Sequence, residues 1–306
     1  MTGQCFNMCE IMKTYIAADI GGTFIKYGLI DENGQIICQG KMPTEVKGSG
    51  AAILPEKMTQ IARLYEKDHP AGMAVATPGF IDVENGRIIY AGRNFPGYTG
   101  MDIRAAIERA TGLPTTIEND AAAAALGESW LGAGKKAASM FCITVGTGVG
   151  GAAVIDGRLL RGTGGAAGEI GLMRLDEGTL EDISSSSALQ RRIAAMKNIP
   201  VENVSLKDAF FMAKAGDADI IAAIDVMISG LSRAMAAVCC VLDPELIVLG
   251  GGIMSQSEYF APRIDMALGQ MLSPHIRGHV HVAFAELGNT AGMVGALRSF
   301  LQQRNI

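Results

Sequence analysis

The amino-acid sequence predicts an α/β protein built from two matched lobes with a ligand cleft between them. At 306 residues the chain is longer than one hydrophobic core comfortably organises, so two lobes of roughly 100 to 200 residues each are expected. A pattern of strand, glycine turn, strand, tight turn and strand occurs twice, from Tyr15 and again from Met140, and helical text follows each time. Glycine clusters stand at strand ends in both halves, where they can point backbone N–H groups into a shared space.

Residues 1–13 have no clear period and are set aside as a loose extension or the product of an early start codon. Strand signals follow at residues 15–19, 24–30 and 35–39, separated by Gly21-Gly22 and by Asp31-Glu32-Asn33-Gly34, a meander with strong turn chemistry. Helical text occupies residues 55–67, a buried strand 71–76, a hairpin 81–90 around Glu84-Asn85-Gly86, and an amphipathic helix 101–111. A short strand at 115–118 precedes an alanine-rich helix that begins near Asp120. The meander then repeats as strands 140–145, 152–155 and 158–160, with glycines from Gly146 to Gly151 in the first turn and Asp156-Gly157 in the second. Residues 208–241 are mostly helical, 245–249 form a buried strand ending in Gly250-Gly251-Gly252, and 292–302 form a closing helix. The expected small lobe is therefore 14–120 with 291–306, and the large lobe 121–290.

Hydrophobic residues make up 49% and charged residues 19%, a globular composition. With a net charge of -5 and no basic run, the chain has no electrostatic footprint for nucleic acid, and a small molecule is the expected partner. Cys5, Cys9, Cys38, Cys142, Cys239 and Cys240 sit mostly in apolar stretches without metal-ligand spacing, which predicts buried, reduced thiols; Cys5 and Cys9 as a metal pair is the alternative. No apolar run of membrane-spanning length and no signal-peptide pattern is expected, which points to a cytoplasmic protein without a membrane partner.

Asp19-Ile20-Gly21-Gly22-Thr23 closes a strand with glycines and a hydroxyl suited to an anion. A carboxylate next to a phosphate repels it unless a cation intervenes, so Asp19 fits an indirect Mg²⁺ holder; a hairpin whose aspartate caps its own turn is the plainer alternative. Gly146, Gly148 and Gly151 have the spacing G-x-G-x-x-G, but strand text follows where a dinucleotide fingerprint needs a helix. No Gly-x4-Gly-Lys-Ser/Thr loop occurs either, so paired hairpins are left to grip phosphates. Gly250-Gly251-Gly252 suits close approach of a flat base or ribose, or a simple strand-to-helix turn.

Glu118-Asn119-Asp120 closes a strand and opens a helix, which makes Asp120 a natural N-cap. Phosphoryl transfer to a hydroxyl also needs a carboxylate that accepts the proton, and a strand end facing a cleft holds one rigidly. Asn119 beside it offers both a donor and an acceptor to a sugar hydroxyl. Glu169 and Glu181 lie in glycine- and serine-rich text and are read as loop carboxylates, either sugar-binding or simply surface charges.

The segments AADIGGT, ATPGFID with Asn94 downstream, IENDAAAAALGE, ITVGTGVGGAAVIDGRLLRG, GEIG, LDPELIVLGGGI and LGNTAGMVGAL together resemble the ROK family (repressors, open reading frames and sugar kinases) of the actin-like ATPase superfamily. The resemblance runs from about Tyr15 to the C-terminus. It implies two ribonuclease-H-like lobes and an ATP- and Mg²⁺-dependent sugar kinase, with a hexose, N-acetylmannosamine or β-glucoside as substrate and the 6-hydroxyl as acceptor. It implies Asp120 as general base, and Asn119, Glu169, Glu181, Gly79 and Asn94 as sugar ligands. Phosphate contacts are implied near Gly21, Gly22, Thr23, Thr147 and Gly148, adenosine contacts near Gly251 and Gly252, and a homodimer as the assembly.

One departure stands out. Many members follow GEIG with a histidine and then a cysteine cluster that binds structural zinc. Here Leu172 takes the histidine's place and no cysteine lies between Cys142 and Cys239, so no zinc site is expected. That histidine also touches the sugar, and Leu172 implies an apolar surface there and a pocket relaxed toward β-glucosides. A ROK repressor would carry a helix-turn-helix domain upstream, and eighteen residues before Asp19 are too few for one. A non-catalytic sugar-binding regulator, or an actin-like kinase with a non-sugar substrate, are the remaining alternatives.

Overall fold

The computed structural model describes residues 12–92 and 95–306. In the first half, strands Thr14–Ile20 (β1), Phe24–Asp31 (β2) and Ile36–Pro43 (β3) lead to the one-turn helix Val46–Ser49 (α1) and to Leu54–Leu64 (α2). Met73–Thr77 (β4), the hairpin Phe80–Asp82 (β5) and Arg87–Tyr90 (β6), Ile103–Thr111 (α3) and Thr115–Asn119 (β7) follow. Asp120–Leu131 (α4) leads to the second half, which opens with Ser139–Val145 (β8), Val149–Ile155 (β9) and Arg158–Leu159 (β10). A small hairpin of Arg174–Leu175 (β11) and Gly178–Thr179 (β12) precedes helices Leu180–Ser184 (α5), Ser186–Lys197 (α6), Leu206–Lys214 (α7) and Ala218–Leu242 (α8). The chain closes through Leu246–Gly250 (β13), Ser257–Met271 (α9), Pro274–Arg277 (α10), His281–Phe284 (β14) and Ala291–Gln303 (α11).

The two large sheets have one topology. Their orders are β3-β2-β1-β4-β7 and β10-β9-β8-β13-β14. In each, an antiparallel meander continues into two parallel strands, and the repeat legible in the sequence becomes a repeat in space.

Side chains alternate across β1, so its two faces enter different cores. Ile16, Ala18 and Ile20 pack in the core that contains Leu54, Met58 and Ile61 of α2 and Ile103 and Ile107 of α3. Tyr15 and Ala17 face Met293, Leu297 and Phe300 of α11. In the second half, Phe141, Ile143, Ile247 and Leu249 share a core with Ile224, Met227 and Leu231 of α8. The opposite face, with Met140, Cys142 and Val248, receives Ala125 and Leu126 of α4. Each fully buried Leu, Ile or Phe contributes about 1.5–3 kcal/mol.

Helices α4 and α11 thus lie between the sheets and pack on each other. Their backbones touch, because a Cβ at Gly295 would run into the Ala123 carbonyl oxygen and one at Gly127 into the Ala291 carbonyl oxygen. A second tie crosses nearby. Arg161, just past β10, donates to the buried Glu118 carboxylate of β7 through both terminal nitrogens, at 2.9 and 2.7 Å. Ser299 of α11 donates to the same carboxylate at 2.6 Å and the Asn119 amide at 3.0 Å, so this charge is fully hydrogen-bonded.

The structure corrects two compositional expectations. Cys142 and Cys239 are buried, but Cys38 and Cys240 are exposed, and Cys5 and Cys9 lie outside the described residues. Among the described residues one helix, α8, is long and apolar enough to cross a membrane, with 25 residues and a mean hydropathy of 1.6. Over half of its apolar window is buried against the second sheet's core, which accounts for that composition within a globular lobe.

Candidate active site

A cleft of about 570 Å³ opens where the β1–β2 turn, the β8–β9 turn, the N-terminus of α4 and the glycines after β13 converge. It brings together Asp19, Gly21, Gly79, Asn119, Asp120, Thr147, Gly148, Glu169, Glu181, Gly251 and Gly252, most of the residues singled out in the sequence. Gly22 and Thr23 stand at the exposed tip of the β1–β2 turn, outside the cleft wall. Asn94 lies outside the described residues.

Asp120 is the first residue of α4, not its cap. The cap is Asn119, whose side-chain oxygen accepts from the Ala122 amide at 3.0 Å while its amide nitrogen donates to the Gly79 carbonyl at 3.1 Å. Asn119 therefore spends one acceptor on the helix and one donor on the neighbouring loop, and what remains for a ligand is less than the free side chain offers. Relieved of capping, Asp120 keeps its carboxylate for the cleft, where Oδ1 accepts from the Ala121 amide at 2.8 Å. Burial, and then the nearby charge of Asp19, push the Asp120 carboxyl up to about 6. A carboxylate with that proton affinity suits a base working near neutral pH.

Asp19 lies at the end of β1, opposite Lys26 of β2 in the antiparallel register, with Lys26 Nζ 3.4 Å from its Oδ2. Burial raises the Asp19 carboxyl and Lys26 opposes that rise. Asp19 also abuts the start of α11, where any side chain at position 292 would press on its carboxylate; Gly292 leaves the room.

Glu169 follows Gly168, and its carboxyl is raised by partial burial and then by the charges of Asp120 and Glu181. Glu181 is not in a loop. It occupies the first turn of α5, a helix started by a capping box in which Thr179 and Asp182 satisfy each other's backbone amides. From there its Oε2 accepts from the Val149 amide at 3.1 Å, bracing the β8–β9 turn, and a Cβ at Gly148 would make that carboxylate shift. Leu172 stands 60% exposed at the end of the single helical turn that follows Glu169.

Gly251 has φ of 101°, and a Cβ there would strike the Val145 carbonyl; the chain after β13 thus lies directly against the end of β8. The cleft is also lined by residues to which the sequence alone assigned no role. Phe80 and Tyr90, rings 6.2 Å apart, flank the Gly79 side, and Lys26 lies on the floor beside Asp19. The signal for Lys26 is its register, since a hairpin about Gly21-Gly22 pairs Asp19 with Lys26.

Among the described residues no group of three or more His, Cys, Asp or Glu side chains is arranged to hold a metal. The donor set fits Mg²⁺ all the same: this ion keeps several waters and takes one or two carboxylates plus phosphate oxygens, and Asp19, which lines the cleft with Gly21 and Gly148, offers such a carboxylate.

A family model described as "ROK family" matches residues 15–303. The chain is 33% identical over 300 residues to a β-glucoside kinase of Listeria monocytogenes, covering 94% of this chain and 98% of the relative. It is 31% identical over 320 residues to a glucokinase of Halalkalibacterium halodurans, covering 96% of each. A crystal structure of a ROK family glucokinase from Streptomyces griseus in complex with glucose and AMPPNP superposes with a TM-score of 0.81, at 27% identity, over 94% of this chain and 98% of the other.

Proposed function

This chain belongs to the ROK family, and from that premise we propose that it transfers the γ-phosphoryl group of ATP to the 6-hydroxyl of a glucose-type sugar, with β-glucosides among its substrates. It is a sugar kinase; the acceptor and the residue roles are the proposal. The observation that carries it is the half-buried Asp120 carboxylate, raised to about 6, on the wall of a cleft that both glycine hairpins also line.

In this reading Asp120 accepts the proton of the sugar hydroxyl as its oxygen bonds to the γ phosphorus. Asn119, Glu169, Glu181 and Gly79 orient the sugar, and Asn94 joins them. Gly21, Gly22, Thr23, Thr147 and Gly148 hold the phosphates, while Gly251 and Gly252 accept the adenosine. Asp19 would hold Mg²⁺ through water, and the ion would supply charge to offset that of the phosphates. Leu172, exposed three residues after Glu169 and outside the cleft lining, offers an apolar side chain where the resemblance implies a hydrogen-bonding histidine, which favours a substituted sugar such as cellobiose. The two lobes, 14–120 with 291–306 and 121–290, close around both substrates, in a cytoplasmic homodimer.

An ADP-release assay across glucose, N-acetylmannosamine and cellobiose tests substrate and activity together. Asp120→Asn should lower turnover on the order of 10²- to 10⁴-fold while calorimetry finds sugar affinity little changed. Turnover near that of the unaltered enzyme would remove Asp120 from the role of base, and inert cellobiose would remove the β-glucoside class.

A further inference from the structure

The cleft is built almost wholly from glycine turns and acids. Asp19, Asp120, Glu128, Glu169 and Glu181 line it, and among the described residues Lys26 is the one cation that does. A nucleoside triphosphate brings about four negative charges into this space, and five carboxylates oppose it. Backbone amides and a single divalent ion leave a surplus of negative charge at the point of transfer. Lys26 is placed to meet it.

We propose that Lys26 is a catalytic residue of the phosphoryl transfer, contacting the transferred phosphoryl group and stabilising the charge that builds on its oxygens. The inference rests on the kinase reading of the same cleft.

The geometry supports a mobile role. The β1–β2 register sets Lys26 directly across from Asp19, so both side chains project from the same face of the sheet. Its ammonium is 3.4 Å from Asp19 Oδ2, at the long end for a charged hydrogen bond, and the side chain is 39% exposed. A pair that loose and wet holds little of the fold together, and a lysine with three donors on a flexible stem exchanges one anionic partner for another at small cost. Asp19 keeps the ammonium beside the Gly21 turn until a phosphate arrives.

During transfer the sugar hydroxyl oxygen forms the new O–P bond. The bond from the γ phosphorus to the β,γ-bridging oxygen breaks, and its electron pair leaves on ADP. The hydroxyl proton passes to Asp120. Lys26 gains and loses no proton; once it has moved from Asp19 to the phosphate, its positive charge lies beside the oxygens that gather negative charge and offsets it in the transition state.

The test uses the full chain carrying Lys26→Met or Lys26→Arg, with ATP and whichever sugar the unaltered enzyme phosphorylates. Lys26→Met should lower kcat about 100-fold or more and raise KM for ATP, with sugar affinity by calorimetry within about twofold and the melting temperature unchanged. Lys26→Arg, which keeps the charge, should recover most of kcat. A Lys26→Met enzyme within threefold of normal kcat would overturn the inference while leaving the kinase assignment intact. So would equal losses in both variants, since the retained charge would then supply no stabilisation, or a loss of melting temperature that matches the loss of rate, since that marks a structural ion pair. An unaltered enzyme that phosphorylates no sugar would instead overturn the kinase reading itself.

Discussion

Burial and the charge of Asp19 make the Asp120 carboxyl hold its proton more tightly in the folded chain than its ordinary value of 3.8, up to about 6. As the proposed base, Asp120 would act only when ionised, so turnover at saturating substrates should rise with pH through about 6 and level off above it. Stability responds in the opposite direction. The folded state favours the protonated carboxyl, so its contribution is complete below pH 3.8 and is lost as pH rises through 6. Asparagine mimics the protonated form, and Asp120→Asn should therefore melt at a higher temperature than the unaltered protein at pH 8, with the gap closing toward pH 4. Equal melting curves at pH 8 would show that the carboxylate is not strained in its site. Asp120 was legible as a strand-end acid, but its freedom from capping was not: two adjacent residues could each have capped α4, and only the backbone shows that Asn119 does. Lys26 was harder to see, because a lone lysine in strand text gives no sign of the face it occupies until the hairpin register is known.

The helices α4 and α11 set the element scale. Gly295→Ala places a methyl against the Ala123 carbonyl, and the helices must part to admit it. Overpacking of this kind costs about 1–3 kcal/mol, and more where the obstacle is backbone. Chemical denaturation should register that loss, and kcat should fall as well because α4 carries Asp120 at its tip. A variant with unchanged stability would mean that the helices are less tightly apposed. Strands were easier to read than these helices, since Gly21-Gly22, Asn33-Gly34 and Asp156-Gly157 punctuate them. The text around α5 and α6 was rich in serine and resembled loop, although the Thr179 and Asp182 spacing of a capping box was there to be read. Contact between α4 and α11 was beyond reach, because the glycines that permit it are spread among alanines whose packing depends on a partner far along the chain.

The whole molecule repeats one five-stranded topology. The duplication was visible in the sequence because both meanders carry their own turn chemistry; the order in which β4, β7, β13 and β14 add to them depends on long-range pairing that no local pattern encodes. Water in an open cleft would compete with the sugar as acceptor, so the lobes should approach each other once both substrates are bound. Small-angle scattering should show a smaller radius of gyration with a non-hydrolysable ATP analogue and sugar together than with neither. An unchanged radius would count against closure.

Each sheet lends one hairpin to the cleft, and the two hairpins rest on separate interiors. In the proposed reading the triphosphate tail would lie between two jaws, each resting on its own hydrophobic bed. Nucleotide affinity consequently reports how well the jaws line up, and a slight shift of either bed loosens the bite while each half stays whole.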